Sequence, residues 1–598
     1  MPKKFDFGKA FRFEIKSPKV PKFPKLTESP IFSAFFEKLI AAPQLVSDFR
    51  IKILSFVILA LTGVLFFRIF YLQVIEGGKN FERAKNNRLV FEKITAPRGI
   101  IYDRMGVVLA ENKPIFKLVK NGKVEIVTKE QALELEAEGL ANEAPNSGPL
   151  GKIEIDLVRG YQSVEAFSHL LGFTSEISVE ELKKLSNYSL GDRIGKLGLE
   201  ANLENFLRGI DGRYLTEVNA KGEIVNILGT TAPAAGKNVT LTVDAGLQQK
   251  VFDELTSQIQ KVGAVAGAAT ASNPATGEIL ALVSYPSFDA NLLSFGITQE
   301  ELDKLNTNPG KPFLNRVTQG NYPPGSIFKL VSAVAGLETE AITETTKFED
   351  TGEIFLGTFR FPNWNFICCG KTEGLLDVVA AIARSNDIFF YRVGEKVGVE
   401  SLKDWGEKLG LGKPTGVELP EVDGLVPSPE WKLRVKNEPW FPGNTLHMAI
   451  GQGDVLTTPL QLNMLTSFFA NGGKIYKPFL VSKITEIDEK TILSFKSKLI
   501  AENLVSKKNL ELVREGMRTA ASTGGTAWPF HDFKIQCGAK TGTAEAGVEN
   551  PHAWFTVFCP YEQPEIVLTI LIEEAGEGSS ISGPVARKVI EWYFERNK

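Results

Sequence analysis

Ser326 and Lys329, in the run Tyr322-Pro323-Pro324-Gly325-Ser326-Ile327-Phe328-Lys329-Leu330, are the pair on which chemistry is most readily built. Pro-Pro-Gly ends one element and forces a turn. Ser326 then stands where a helix is expected to begin, a favoured place for serine. Ile327, Phe328 and Leu330 supply the apolar side chains that would bury that helix. Residues three apart share a helical face, so hydroxyl and amine would be neighbours. A desolvated, neutral lysine can take the serine proton, while backbone N–H groups hold a developing oxyanion. Alone this spacing carries little weight, since a chain of this length yields roughly two by chance. Its plain alternative is a capped helix with an exposed lysine.

Two further stretches change the odds. Ser385-Asn386-Asp387 lies between a helical stretch and the apolar run Ile388-Phe389-Phe390-Tyr391; by itself it reads equally as a loop or a cap. Lys540-Thr541-Gly542-Thr543 has the small residues of a strand that something approaches closely, or of a weakened edge strand. Ser-x-x-Lys, Ser-x-Asp and Lys-Thr-Gly, in that order in one region, are much less probable by accident. Composition narrows the field further. The 598 residues imply several domains, and 43% hydrophobic with 23% charged residues is globular. A net charge of -3 excludes a broadly basic nucleic-acid binder. The four histidines, His169, His447, His531 and His552, disfavour metal or Ser-His-Asp chemistry, and no Gly-x-Ser-x-Gly surrounds Ser326. Cys368, Cys369, Cys537 and Cys559 form no Cys-x-x-Cys, so a zinc ribbon is not supported.

The elements that must position these residues run from about 238 onward. A strand is expected at Asn238–Asp244, a helix from Leu247, and a hairpin from Ala264–Ser272 and Gly277–Ser284 joined by Asn273-Pro274-Ala275-Thr276-Gly277. Helices follow at Gly374–Ala383, Val399–Leu409 and Pro459–Asn471, then strands near Ile535–Thr543, Ala553–Phe558 and Ile566–Glu573 and a helix at Pro584–Arg596. Strands at both ends of the region are expected to share one antiparallel sheet, an α+β architecture. Residues 75–237 read as an elongated, β-rich pedestal, with a surface insertion around Asn112–Pro149. Residues 52–74 carry the apolar run Ile53–Phe67, short of the ~20 residues a span wants but extended by snorkelling Lys52 and Arg68. No globular sequence precedes it to bury it, and it lacks a small-residue cleavage site, so a membrane span is favoured over a core helix or a removed signal peptide. The Lys- and Pro-rich residues 1–51 read as a disordered basic tail on the cytoplasmic side.

With these residues in view, the chain resembles the class B penicillin-binding proteins. Beyond the three motifs, the likeness rests on Thr276-Gly277-Glu278-Ile279-Leu280, Pro286-Ser287-Phe288-Asp289, Asn315-Arg316, Ala449-Ile450-Gly451-Gln452-Gly453 and Thr457-Thr458-Pro459-Leu460-Gln461. In the pedestal it rests on Pro97–Gly106 and Gly195-Lys196-Leu197-Gly198-Leu199-Glu200. The Asp387 ending of the middle motif and His552-Ala553-Trp554-Phe555 resemble the elongation type rather than the division type. With no glycosyltransferase domain before the pedestal, a bifunctional class A protein is not expected. The usual Arg-x-Tyr-Pro of the pedestal departs here to Arg159-Gly160-Tyr161-Gln162.

The resemblance implies a D,D-transpeptidase domain over 238–598 that cross-links peptidoglycan stem peptides during elongation and is acylated by β-lactams. It assigns Ser326 as nucleophile, Lys329 as general base, Ser385 as proton relay and Asp387 as the positioner of that serine or of the lysine. Lys540 would offer charge to the substrate carboxylate, with Thr541, Gly542, Thr543 and Trp554 completing the binding site. The N–H groups of Ser326 and Thr543 would form the oxyanion hole. No cofactor is implied. Some relatives hold a metal between the first two motifs; Asp350 with Cys368 and Cys369 nearby gives no complete ligand set, so no metal is expected and these cysteines default to thiols. Cys537 and Cys559, on neighbouring strands, would pair in an oxidising compartment. Implied partners are the inner membrane, a polytopic glycosyltransferase of the SEDS family and an elongation scaffold protein. The alternatives are a division-type transpeptidase, a carboxypeptidase or β-lactamase, and a non-catalytic penicillin-binding sensor or scaffold.

Overall fold

The computed structural model describes residues 48–596 apart from 121–122, 142–151, 220–223, 546 and 548–549. The basic tail up to residue 47 and part of the expected insertion therefore lie outside the described residues. Those described fall into two compact units: the chain up to Val90 with Thr216–Asn226, and Phe91–Leu215 with Ile227–Lys598.

In the first unit a helix over Asp48–Phe70 continues through a π turn, Tyr71–Ile75, into Gly77–Arg88. Phe49–Ile75 is 27 residues long, apolar, and presents its side chains outward. At 1.5 Å per residue it reaches about 40 Å, enough to cross a bilayer core of about 30 Å. Exposed Phe56, Leu59, Leu61, Leu65 and Phe66 would have no stable home in water, which fits a single-pass membrane anchor.

In the second unit the expected sheet forms from both ends of the region. Strands β1 (Gly267–Ser272), β2 (Ile279–Tyr285), β3 (Gly538–Ala544), β4 (His552–Cys559) and β5 (Ile566–Ile572) pair antiparallel in the order β2-β1-β5-β4-β3. Successive side chains of a strand point to opposite faces. Ala553, Phe555 and Val557 of β4 pack with Leu568 and Ile570 of β5 toward α1 (Ala245–Val262) and α7 (Gly583–Arg596). Trp554, Phe558, Val567 and Leu571 pack on the other face, toward the helices that carry the first two motifs. Both faces being covered explains why β4 and β5 are apolar almost throughout instead of alternating.

The second face carries α5 (Pro459–Ala470) and α6 (Lys507–Ala520), with α2 (Lys329–Glu338) and α3 (Val378–Arg384) against α6 and α4 (Asp387–Lys408) against α2. The strand at Asn238–Leu241 joins a different sheet. It pairs parallel with Ile101–Tyr102 and antiparallel with Val481–Thr485. That seven-stranded sheet also holds Val108–Lys120 and Lys152–Tyr161. One apolar cluster runs from Ile101, Phe167 and Leu199 through to Leu255 and Ile570, so the first face of the sheet shares its core with the N-terminal part of the second unit, while the second face has a core of its own.

Candidate active site

Ser326 sits in a 3-10 turn, Gly325–Phe328, that feeds directly into α2. It is not the helix cap its position suggested; Pro324 and Phe328 occupy the flanking positions and neither side chain caps. The turn is held by close backbone approach. Gly325 has φ +53°, and a Cβ there would lie 2.7 Å from the Thr543 carbonyl oxygen. Gly451 has φ +73°, and a Cβ there would lie 2.1 Å from the Gly325 oxygen, where the Gly325 N–H donates to the Gly451 carbonyl at 2.9 Å. Only glycine meets both demands, the left-handed backbone and the missing side chain. Ser326 is left half-buried at the mouth of this turn, next to the exposed Thr543.

Lys329 lies one residue into the core and is fully buried. Its ammonium donates to Asp387 Oδ1 at 2.7 Å and the Ser385 carbonyl at 2.7 Å, and reaches Ser385 Oγ at 3.4 Å. Lys540, equally buried on β3, donates to the same Ser385 Oγ at 2.9 Å and to the Thr541 carbonyl at 2.8 Å. One hydroxyl thus bridges two amines. Burial presses the Lys329 pKa below its ordinary value, with Asp387 opposing. Burial presses Lys540 further down, reinforced by the charge of Lys329. Desolvation disfavours the charged form of a lysine, so both are displaced toward neutral amines.

The middle motif is built by two helix ends meeting. Ser385 closes α3 with φ +53°, an uncommon conformation for a non-glycine residue and one held only where its surroundings over-determine it. Asn386 caps α4, its side chain accepting from Phe389 N–H at 2.9 Å. Asp387 then falls in the first turn of α4, where a carboxylate is favoured by the helix dipole.

The structure brings Ser326, Lys329, Ser385, Asp387, Lys540, Thr541 and Thr543 to one end of the sheet, across more than two hundred residues of sequence. Two expected site residues are placed otherwise. Trp554 is fully buried, its indole N–H donating to the Pro323 carbonyl at 3.0 Å; it props the Ser326 turn from beneath and has no open face for a ligand. Gly542, its register partner, is also buried and makes room, since a Cβ there would lie 2.9 Å from Trp554 Cβ and 3.2 Å from the Pro324 oxygen. Lys540 faces Ser385 rather than open solvent. Two residues that had been given no role join the rim: Gln452 donates to the Thr543 carbonyl at 3.3 Å, and Thr526 accepts from the Thr541 hydroxyl at 3.0 Å. Only the Gly-Gln-Gly run hinted at the first, and no local signal marks the second.

The cysteines also resolve. Cys537, just before β3, and Cys559, at the end of β4, are joined, with Cα atoms 4.6 Å apart. Cys368 and Cys369 are not the thiols expected but are bonded to each other, at the exposed end of the short helix Trp364–Cys369. Separated by a single peptide unit, their Cα atoms are 3.8 Å apart, outside the range of ordinary disulfides, which is why the sequence argued against the pair. Neither supplies a thiolate. Asp350 accepts from four N–H groups and so has its lone pairs turned to amides. Among the described residues no cluster of three or more His, Cys, Asp or Glu is placed to hold a metal ion. The residues between the first two motifs therefore do not fit a metal.

Comparison with known proteins agrees with this geometry. The Penicillin binding protein transpeptidase domain matches residues 267–591, and the Penicillin-binding Protein dimerisation domain matches residues 124–241. The chain is 32% identical to the peptidoglycan D,D-transpeptidase MrdA of Haemophilus influenzae, over 90% of each chain. It is 30% identical to the same-named protein of Escherichia coli K12, over 89% of this chain and 92% of that one. Among solved structures, a chain of a peptidoglycan synthase complex that coordinates polymerization and crosslinking superposes with a TM-score of 0.72 at 30% identity, covering 91% of this chain and 98% of that one. Penicillin-binding protein 2 in its complex with MreC, from Helicobacter pylori, superposes at 0.70 with 29% identity, covering 85% and 99%. The chain belongs to the penicillin-binding protein family, on the elongation-type, penicillin-binding protein 2 branch of the peptidoglycan D,D-transpeptidases.

Proposed function

We propose that this chain cross-links peptidoglycan stem peptides through an acyl-enzyme on Ser326. The observation that carries the reading is the Lys329–Ser385–Lys540 bridge: two buried amines on one hydroxyl, beside a serine on an open turn. Ser326 Oγ attacks the carbonyl carbon of the penultimate D-Ala while neutral Lys329 takes its proton. The carbon–nitrogen bond breaks, and the proton passes by way of Ser385 to the departing D-Ala amine. An amine of a second stem peptide then attacks the ester, forming the cross-link and returning Ser326 to its hydroxyl.

The role of each side chain follows its position. Asp387 fixes Lys329 from one side. Lys540 holds the Ser385 hydroxyl from behind the strand. Thr541 and Thr543 are the hydroxyls on β3 that would receive the substrate carboxylate. The N–H groups of Ser326 and Thr543, brought near each other by the Gly325 approach, would hold the oxyanion. Substrates and β-lactams share the acyl-D-Ala-D-Ala shape, so both would acylate the same oxygen.

The wider reading keeps the tail at 1–51, the span at 52–74, the pedestal at 75–237 and the transpeptidase domain at 238–598. The many lysines before the span put the N-terminus in the cytoplasm and the catalytic body outside the inner membrane. The relatives' complexes with MreC and within a peptidoglycan synthase support a scaffold protein and a SEDS-family glycan polymerase as partners, the latter met in part through the helix over 54–72.

Intact-mass spectrometry of the full-length chain in detergent, with a penicillin, tests the reading. One penicilloyl adduct on the wild type, absent in Ser326→Ala and stable for hours, is expected. Loss of the adduct within minutes would make the protein a hydrolase, and no adduct would leave a binding scaffold.

A further inference from the structure

Asp350 is buried, sits between the first two motifs in sequence, and has no part in the acyl-transfer scheme. Its surroundings connect it to that scheme all the same. Oδ1 accepts from Gly352 N–H at 2.8 Å, and Oδ2 accepts from Asn363 Nδ2 at 2.9 Å, Glu373 N–H at 3.0 Å and Asn386 Nδ2 at 3.0 Å. Asn363, fully buried, turns its other end to the catalytic helix, where Oδ1 accepts the Asp387 N–H at 3.1 Å. The next residue, Trp364, donates its N–H to Asp387 Oδ2 at 2.9 Å, while Lys329 takes Oδ1 at 2.7 Å. Each oxygen of Asp387 therefore has its own directed donor, and one of the two comes from the loop that Asp350 anchors.

A second arm reaches the Ser385 turn. Glu373 accepts from Arg384 Nε at 2.6 Å and from Asn386 Nδ2 at 3.1 Å. Arg384 and Asn386 flank Ser385 on both sides, and the Trp364 indole N–H donates to the Arg384 carbonyl at 3.2 Å. Ser385 has the left-handed backbone that must be over-determined to persist, and these bonds supply that determination. Arg384 pairs with Glu373 and Lys329 bonds Asp387, while Asp350 is held by four amide N–H groups.

We propose that Asn363 and Glu373 are positioning residues for acyl transfer: Asn363, braced by Asp350, aims the Asp387 carboxylate at Lys329, and Glu373 holds the Ser385 turn from both flanks. This rests on the reading of Lys329 and Ser385 given above. A fully satisfied polar network rigidifies its members, whereas removing one partner strands a buried group on the other side. Asn363 joins Asp350 to the Asp387 N–H, alongside the bond Asn386 makes to Asp350 from the preceding residue, so its loss should misdirect Lys329 without emptying the cleft. Glu373 also acts through charge, since it is one of the groups that raise the Lys329 pKa against burial. The other charged groups facing that amine are Asp387 from α4 and Lys540 from β3.

The test is the rate of Ser326 acylation by a fluorescent penicillin, measured on the full-length chain in detergent across about pH 5 to 9, with the melting temperature recorded alongside. Asn363→Ala is expected to slow the acylation step about tenfold or more while leaving the strength of the initial non-covalent complex unchanged. Glu373→Gln keeps the shape and an acceptor for Arg384 but removes a negative charge. Lys329 then becomes neutral at lower pH, so the acidic limb of the acylation profile should move toward acid. An Asn363→Ala variant that acylates at the wild-type rate, or a Glu373→Gln limb that stays in place, overturns the proposal, whatever either does to the melting temperature. If Asn363→Ala does not fold, the Glu373→Gln limb decides alone. A wild-type chain that takes no penicillin at all would overturn the transpeptidase reading, and this inference with it.

Discussion

Two buried ionic clusters in the second unit use similar charges for opposite ends. In the pedestal, Glu200 is fully buried between two guanidiniums: Arg98 Nε at 2.5 Å and Arg159 Nε at 2.6 Å. Arg98 also reaches Glu204 at 2.7 Å and the Glu200 carbonyl at 2.9 Å. In the catalytic cluster lysines replace the arginines: both reach one neutral hydroxyl, and Lys329 also bonds the Asp387 carboxylate. Burial pushes the Glu200 pKa up, but Arg159 and Arg98 more than offset it and hold the carboxylate below its ordinary range. Burial wins over Asp387 at Lys329 and Lys540 and holds both below theirs. Arginine stays charged in any protein environment, whereas a buried lysine yields its proton. The pedestal cluster is built to keep its charges, the catalytic one to let a proton move.

The largest effect should follow from erasing that distinction. Lys329→Arg fixes a positive charge beside Asp387 and cannot act as a base near neutral pH. Acylation by a penicillin should fall by about a thousandfold, within the range of a lost general base, and raising the pH should not restore it. Stopped-flow measurement of the adduct would show this; an Arg variant working within tenfold of wild type would make charge, not proton transfer, the role of Lys329.

Glu200→Gln is the matching break in the pedestal. It leaves two guanidiniums facing a neutral amide, and stranding a buried charge costs about 3–5 kcal/mol. Thermal unfolding should show the loss, while the acylation rate of the folded fraction stays near wild type. The pH sign follows from the depressed Glu200 pKa. Its stabilisation is present above the ordinary carboxylate range and is lost as the pH falls through the lowered value. Wild type and variant should therefore converge in acid. A constant difference down to low pH would mean that the introduced amide is disrupting packing instead.

The two clusters were not equally legible in the sequence. Ser326, Lys329, Ser385 and Lys540 could be singled out because each lies in a short run that carries little alone, while the three runs in order resemble the motif set of one family. The five-stranded sheet was legible through apolar runs such as Ile566–Ile572 bounded by turns. Asn363 and Glu373 gave no such signal, and Asp350 drew notice only as a possible metal ligand. All three are single polar residues, Asp350 ending the short strand Phe348–Asp350 and Asn363 at the cap position of the helix Trp364–Cys369, and only the packing of that segment on α4 gives them a common target. Trp554 was misplaced because sequence proximity to the Lys-Thr-Gly strand does not say whether a side chain points into a cleft or under a turn. The parity of β4, with Phe555 on one face and Trp554 on the other, decides that, and it needs the helices on both sides to be read. Adjacent Cys368 and Cys369 were judged by the geometry of ordinary pairs, a rule that does not cover neighbours.

A smaller effect should come from Lys540→Met. Replacing a buried amine, whose pKa is pressed far down, with an apolar side chain of similar length removes a desolvation cost. Stability at neutral pH should rise by about 1 kcal/mol or more, seen as an increase of about 2–4 °C in melting temperature. Because the folded pKa is the lower one, the advantage should shrink as the pH climbs toward the ordinary lysine value. Acylation should weaken in the same variant, since Ser385 loses the donor that orients it. A Met variant that is less stable would show that the Ser385 and Thr541 bonds outweigh the burial.

The finest comparison lies between the two pedestal arginines themselves. Arg98 uses three donors, on Glu200 twice and on Glu204 once. Arg159 uses only Nε, and its Nη1 and Nη2 find no partner among the described residues. If the value of a guanidinium lies in its fork, the two should respond differently to lysine, which keeps the charge and loses the fork. Arg98→Lys should cost about 2–3 kcal/mol, the loss of two charge-assisted bonds. Arg159→Lys keeps its one contact within reach of the ammonium and should cost about 1 kcal/mol or less. Denaturant unfolding of the two variants side by side measures the gap. Equal losses would show that Arg159 is held by the packing of its stem between Glu200 and the strand, and that its unpaired end is incidental to why an arginine stands there.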